Sequence, residues 1–289
     1  MGLTQSAIRR TESHFTSSGG GQLYRRDWLP ANPLRSVVLV HGYGEHSGRY
    51  EYVGSRLADA GCAVAAYDQQ GHGRSSGARG HVHRFADLLD DLEGFVELVR
   101  TELPLFVVGH SMGGLVVAAY ACERNPSVAG VATSGAALAL SEDLSRGRIW
   151  AARLLGRILP RLSLGSRLDV ETLSRDPAVI KAYLDDPLVH QKLTASMASE
   201  MLSAVERTAS AGSRVAIPMF VMHGEEDRLC PPTGSRGFYD QLVVGSKRLR
   251  TYPGLRHEIF NEPERDQVLK DLVDWISSID LGRETAGVG

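Results

Sequence analysis

The pentapeptide Gly109-His110-Ser111-Met112-Gly113 sits between the apolar run Leu105-Phe106-Val107-Val108 and the small-residue stretch Gly114-Leu115-Val116-Val117-Ala118-Ala119-Tyr120-Ala121. The first run reads as a buried strand and the second as a buried helix, so the pentapeptide is the joint of a strand-turn-helix. A turn tight enough to push the Ser111 hydroxyl out of a sheet strains the backbone. Glycine on both flanks then lets strand and helix pass within a side chain's width. A chain carrying this joint is committed to an α/β sheet that presents a serine at the carboxyl end of a strand, the arrangement of a nucleophile elbow.

A serine presented in this way needs an acid and a histidine, which follow it along the chain. The segment Ile217-Pro218-Met219-Phe220-Val221-Met222-His223-Gly224 reads as another apolar strand, and the turn Glu225-Glu226-Asp227 stands at its carboxyl end. Asp227 is the candidate acid, with Glu225 and Glu226 as rivals. The one histidine beyond Asp227 is His257, in the turn-rich loop Tyr252-Pro253-Gly254-Leu255-Arg256-His257 ahead of an amphipathic helix over 266–279. Attack on a carbonyl also needs donors for the oxyanion. The strand Ser36-Val37-Val38-Leu39-Val40 ends in His41-Gly42-Tyr43-Gly44, which offers the Tyr43 amide, and the residue after the nucleophile offers the Met112 amide. The same glycines do not make a dinucleotide turn, because no third glycine and no ribose-binding acid complete the pattern.

A wider set of motifs now stands out: His41-Gly42-Tyr43-Gly44-Glu45-His46-Ser47-Gly48-Arg49-Tyr50, Asp68-Gln69-Gln70-Gly71-His72-Gly73-Arg74-Ser75, the serine pentapeptide with Gly114, Ser174-Arg175-Asp176-Pro177, Tyr183 with Asp186-Pro187-Leu188, and His223-Gly224 leading to Asp227-Arg228-Leu229. Over residues 35–279 the chain resembles the monoacylglycerol lipase family, the serine aminopeptidase S33-like or lysophospholipase-like hydrolases. The resemblance implies an α/β-hydrolase fold, with Ser111 as nucleophile, Asp227 and His257 as its partners, and the Tyr43 and Met112 amides as oxyanion hole. It also implies a polar pocket for glycerol, to which Glu45, His110 and Tyr183 correspond. One departure is visible: animal members carry a further histidine shortly after the catalytic one, where this chain has Glu258-Ile259-Phe260. Serine at position 111 argues against the epoxide and haloalkane hydrolases of the same fold, which resemble one another in using an aspartate there.

The interval from Ser111 to Asp227 is longer than two strand-helix units of roughly 30 residues would fill, which leaves about 50 to 80 residues for a lid. The expected organisation is a first core part over 1–134 with a flexible stretch at 1–21, a helical cap over 135–212, a second core part over 213–281 and a disordered tail at 282–289. Inside the cap, Ile149, Trp150, Leu154, Leu155, Ile158 and Leu159 recur at helical spacing up to Pro160. Trp150, Leu154, Leu155 and Ile158 are expected to line the acyl entrance. Six arginines (Arg146, Arg148, Arg153, Arg157, Arg161 and Arg167) accompany them with no acid between Leu144 and Leu168. That pattern fits a helix lying on an anionic lipid surface, and equally a solvated lid helix packed on the core.

Composition narrows the remaining classes. A net charge of −2 with dispersed basic residues gives no footprint for nucleic acid. Cys62, Cys122 and Cys230 lack CxxC spacing and cannot all pair, which fits a reducing compartment. His72, His81 and His83 stand without an HExxH or Cys/His cluster, so no metal site is expected, and the chemistry requires no cofactor. No apolar run reads as a signal peptide or membrane span, which suggests a cytoplasmic or peripheral membrane enzyme. Met1-Gly2-Leu3-Thr4-Gln5-Ser6 satisfies the N-myristoylation pattern, a loose one that arises often. The expected activity is hydrolysis of monoacylglycerols or similar single-chain lipid esters. A broader carboxylesterase, thioesterase or lysophospholipase would share the triad, and a non-catalytic receptor on the same fold can retain it. Cys230, three residues beyond Asp227, is either a small buried hydrophobe or a thiol near the substrate pocket.

Overall fold

The computed structural model describes residues 8–140, 144–165 and 168–279. Its strands are β1 (Arg9–Thr16), β2 (Gln22–Leu29), β3 (Arg35–Val40), β4 (Cys62–Tyr67), β5 (Leu105–His110), β6 (Gly130–Ser134), β7 (Met219–Gly224) and β8 (Lys247–Tyr252). They form one sheet in the order β1-β2-β4-β3-β5-β6-β7-β8. Only the β1–β2 and β2–β4 pairings are antiparallel. The helices are α1 (Glu51–Asp59), α2 (Phe85–Val99), α3 (Met112–Glu123), α4 (Arg146–Ile158), α5 (Pro177–Asp185), α6 (Ala195–Ala209), α7 (Pro232–Gln241) and α8 (Arg265–Ser278).

The central strands β3, β5 and β7 are buried almost throughout, as the continuous apolar runs require of strands covered on both faces. On one face α1 and α8 contribute Val53, Leu57, Leu272 and Trp275 to a core with Phe106 and Phe220. On the other face α2, α3 and α7 pack Phe95, Leu115, Val117 and Phe238 against Val38, Val107 and Val221. Crossovers on both faces bring the carboxyl ends of β3, β5, β7 and β8 to a common edge. The loops there begin with His41, Ser111, Glu225 and Pro253. The strand order turns around β3, the kind of switch point where open α/β sheets keep their ligands.

The amino-terminal stretch departs from expectation. Instead of a flexible segment, Arg9–Thr16 is an edge strand paired along its whole length with β2, and Phe15 packs on Phe95 and Tyr67. Its polarity misled because an edge strand exposes most of its side chains and draws stability from backbone pairing. The myristoylation pattern and the tail at 282–289 lie outside the described residues. Between β6 and β7 the chain leaves the sheet and forms α4, α5 and α6. α4 lies along α6, where Gly156 approaches Ser199 so closely that an added methyl would come 2.6 Å from its Cβ. Among the described residues no helix is long and apolar enough to cross a membrane.

Candidate active site

Ser111 has φ 55° and ψ −118°, a left-handed conformation that costs a non-glycine residue about 1–3 kcal/mol. The surroundings hold it there. A Cβ on Gly109 would come 2.2 Å from the Gly113 carbonyl oxygen, and a Cβ on Gly113 2.2 Å from that of Val40. The elbow glycines are therefore dictated by β5, α3 and β3 crossing at contact distance. The Ser111 amide donates to Ser134 at 2.9 Å, and α3 begins immediately after it with eleven of its twelve residues buried.

Asp227 follows β7 and is buried. Its Oδ2 accepts from His257 Nδ1 at 2.7 Å and from His223 Nε2 at 3.0 Å, while Oδ1 accepts from the Leu229 and Cys230 amides at 2.9 and 2.8 Å. Burial alone would raise the carboxyl, but the His257 imidazole and the two histidine hydrogen bonds outweigh it and hold the group well below the usual carboxylate range. Burial likewise pulls His257 down, and the Asp227, Glu258 and Glu45 charges overcome it, so the imidazole stands above its ordinary value. With Nδ1–H directed at Asp227, His257 Nε2 keeps its lone pair. Glu225 bonds Thr251 and Arg236 on the surface, and Glu226 is exposed, so neither rival carboxyl reaches the histidine. The amides of Thr172 and Leu173 are not the donors here; their carbonyls accept from His257 and Glu258 at 3.3 and 2.8 Å, so the chain between α4 and α5 braces the histidine loop.

The Tyr43 and Met112 amides have no protein acceptor among the described residues. The loop carrying Tyr43 is clamped at both sides. Gly42 N–H donates to Glu45 Oε1 at 2.6 Å, the Gly44 carbonyl accepts from His190 N at 2.8 Å, and the Tyr43 hydroxyl donates to the Lys192 carbonyl. Residues 190–194, just ahead of α6, thus connect the helices above the sheet to the β3 loop.

Ser111 and His257 open into a cavity of about 560 Å³. Its walls toward the upper helices are apolar, with Leu140, Leu164, Leu193, Met201, Leu202 and Val205. The lining also holds Glu45, Arg49, His110, Tyr183 and Glu258, a polar group in which Glu45, Glu258 and Tyr183 gather around Arg49. The three expected polar residues are therefore brought together. His110 is buried beside His257, with ring centroids 4.8 Å apart, and burial followed by the His257 charge pushes it down to about 4, so it is neutral at physiological pH. Trp150, Leu154, Leu155 and Ile158 do not line the cavity. Trp150, Leu154 and Ile158 face outward with 66, 39 and 60% of their surface exposed, and the residues of α4 that reach the cavity are Ala152 and the exposed Arg148. The helical period was right, but its apolar stripe points away from the sheet because the approach at Gly156 fixes how α4 lies on α6.

Three residues of the site were not singled out from sequence. Arg49 occurs in a quoted motif and Glu258 at the departure from the animal members, but nothing in one dimension pairs residues 209 positions apart. His223 is fully buried, and its Nε2 lies 3.0 Å from Asp227 Oδ2 and 2.9 Å from the Cys230 carbonyl, so that nitrogen carries the proton. Its Nδ1 lies 2.7 Å from Ser235 Oγ, which can donate to it. The His223-Gly224-x-x-Asp227 spacing was the available signal. Cys230 is buried against the Ser111 hydroxyl, and burial together with the Asp227 charge pushes its thiol well above the ordinary value, so it is not a ready thiolate.

Residues 31–264 match the family described as "Serine aminopeptidase, S33". The chain belongs to this family. A monoacylglycerol lipase of Mycolicibacterium smegmatis is 38% identical over 274 residues, 93% of this chain and 98% of that one. The crystal structure of the Paleococcus ferrophilus monoacylglycerol lipase superposes with a TM-score of 0.84 at 37% identity, covering 89% of this chain and 99% of that one. A Bacillus subtilis phospholipase is 32% identical over 84% of this chain and 95% of its own. The chain thus has the α/β-hydrolase fold, and these relatives carry the names of monoacylglycerol lipases and of a phospholipase.

Proposed function

We propose that the chain is a serine-dependent carboxylic ester hydrolase that cleaves monoacylglycerols to fatty acid and glycerol through an acyl-enzyme. The observation that carries this reading is the position of Ser111, strained and adjoining a single cavity with an apolar wall on one side and a hydrogen-bonding end on the other. His257 Nε2 takes the Ser111 proton, Ser111 Oγ attacks the ester carbonyl, and the oxyanion is held by the Tyr43 and Met112 amides. His257 then protonates the departing glycerol oxygen. Water, deprotonated by the same imidazole, cleaves the acyl-enzyme, and Asp227 keeps His257 in the tautomer that each step needs. The acyl chain lies along Leu202 and Val205, and the glycerol faces Glu45, His110 and Tyr183.

Residues 135–212 act as a cap over this site. Trp150, Ile158, Leu159 and Leu162, exposed on or just after α4 and accompanied by Arg153, Arg157 and Arg161, form its outer surface and make peripheral contact with anionic lipid, through which substrate enters. The test is a set of initial rates on mono-, di- and triacylglycerols beside short p-nitrophenyl esters. Monoacylglycerol is expected to exceed diacylglycerol clearly, and equal rates on the two would overturn the reading.

A further inference from the structure

Arg49 is enclosed between two carboxylates. Its Nη1 donates to Glu45 Oε2 at 2.6 Å and to Glu258 Oε1 at 2.7 Å, and its Nη2 donates to Glu258 Oε2 at 2.8 Å. The side chains are only 10% exposed for Arg49 and 4% for each acid. The remaining oxygen, Glu45 Oε1, accepts from Tyr50 at 2.8 Å besides the Gly42 amide, and Glu258 Oε2 also accepts from Asn261. The guanidinium face rests 4.8 Å from the Tyr183 ring centroid. Arg49 is therefore not available to clamp a phosphate, and two buried acids with one buried base leave one net negative charge at the polar end of the cavity. His110 beside them is neutral, and the other arginine among the described lining residues, Arg148, is exposed on α4.

We propose that Glu258 is a specificity-determining residue, whose charge leaves the Glu45–Arg49–Glu258 group net negative and so selects neutral or cationic alcohol leaving groups over phosphorylated ones. The inference rests on the reading above that this end of the cavity receives the leaving alcohol. A unit charge about 7 Å away at an effective dielectric near 20 corresponds to a discrimination of roughly 50-fold. The apolar wall is common to all single-chain esters, so the buried charge is what separates a monoacylglycerol from a lysophospholipid with an anionic head.

The experiment compares kcat/KM on four esters of one acid below their aggregation limits: 1-decanoylglycerol, 1-decanoylglycerol 3-phosphate, decanoylcholine and p-nitrophenyl decanoate. Work at 0.15 and 0.5 M salt screens the outer arginines more than the buried group. Wild type is expected to disfavour the phosphate ester at least tenfold against the glycerol and choline esters at both salts. Glu258→Gln should shrink that penalty tenfold or more, and Glu258→Asp should retain it. The inference is overturned if wild type takes the phosphate ester as fast as the choline ester, or if Glu258→Gln, folded by near-ultraviolet circular dichroism, keeps the wild-type ratio. Should either variant fail to fold, inhibition of wild-type p-nitrophenyl decanoate hydrolysis by glycerol 3-phosphate and by choline decides, with stronger inhibition by the phosphate counting against it. A poor rate on 1-decanoylglycerol beside a rapid one on decanoylcholine would instead sink the monoacylglycerol reading and support the charge selection.

Discussion

The floor and the roof of the cavity are built on opposite terms. On the floor, α3 is buried along nearly its whole length and Ser111 is forced into a left-handed conformation by atoms of three elements. On the roof, α4 has no buried residue, and its largest apolar side chains face outward. The floor can hold strain because atoms of β3, β5 and α3 over-determine it, whereas the roof packs α4 against α6 without burying any residue of α4 and keeps apolar surface outside. On the function proposed above, chemistry that needs sub-ångström placement falls to the floor and encounter with substrate to the roof.

The sharpest way to break this contrast is at Ser111. Ser111→Ala should lower turnover by about 10⁶ without changing the fold, since members of such a group act as a unit. Residual activity within tenfold of wild type would remove Ser111 from the reaction. Asp227→Asn should cost about 10⁴ by favouring the wrong His257 tautomer, and Glu226→Gln should be close to neutral; the reverse ranking in steady-state rates would mean that the acid is misplaced.

Stability tests the floor directly. Gly113→Ala puts a methyl 2.2 Å from the Val40 carbonyl, where only backbone can move, so a loss of about 3 kcal/mol or more is expected in denaturant titration. A loss under 1 kcal/mol would show that the elbow is softer than its geometry. Next in size is the pH profile. The base form of His257 is the active one, so kcat/KM should fall as pH drops through a His257 value above the ordinary one. Glu258→Gln removes one of the charges that raise it and should move that acid limb to lower pH, and an upward movement would contradict the assignment.

The smallest effect is expected on the roof. Trp150→Glu should change stability by no more than about 0.5 kcal/mol, because the side chain is already exposed. Its signature is weaker association with anionic vesicles in a flotation assay, and vesicle binding equal to wild type would leave α4 as an ordinary solvated helix.

Much of the site was legible because it depends on local chemistry. Gly109 and Gly113 mark the elbow, Asp227 ends an apolar strand, and His257 is the one histidine that follows, so the order along the chain narrows the choice before any distance is known. Glu258 was visible only as a departure from the animal members, and its pairing with Arg49 was opaque, since each is an ordinary charged residue until folding carries both into one cavity. His223 was half-visible, a polar residue at the end of an apolar strand whose use as a second donor to Asp227 appears only when the loop closes.

What the sequence determined alone is the sheet with its serine joint, the interval that places helices between β6 and β7, and the helical period of α4, because each follows from backbone sterics or from the repeat of apolar side chains. Tertiary structure decided that the polar run Arg9–Thr16 is a strand, since a neighbour's backbone supplies what its side chains lack. It also decided which way the stripe of α4 points and the sign of the charge at the polar end of the cavity. Orientation and net charge are properties of what is packed together, and no single stretch of chain contains them.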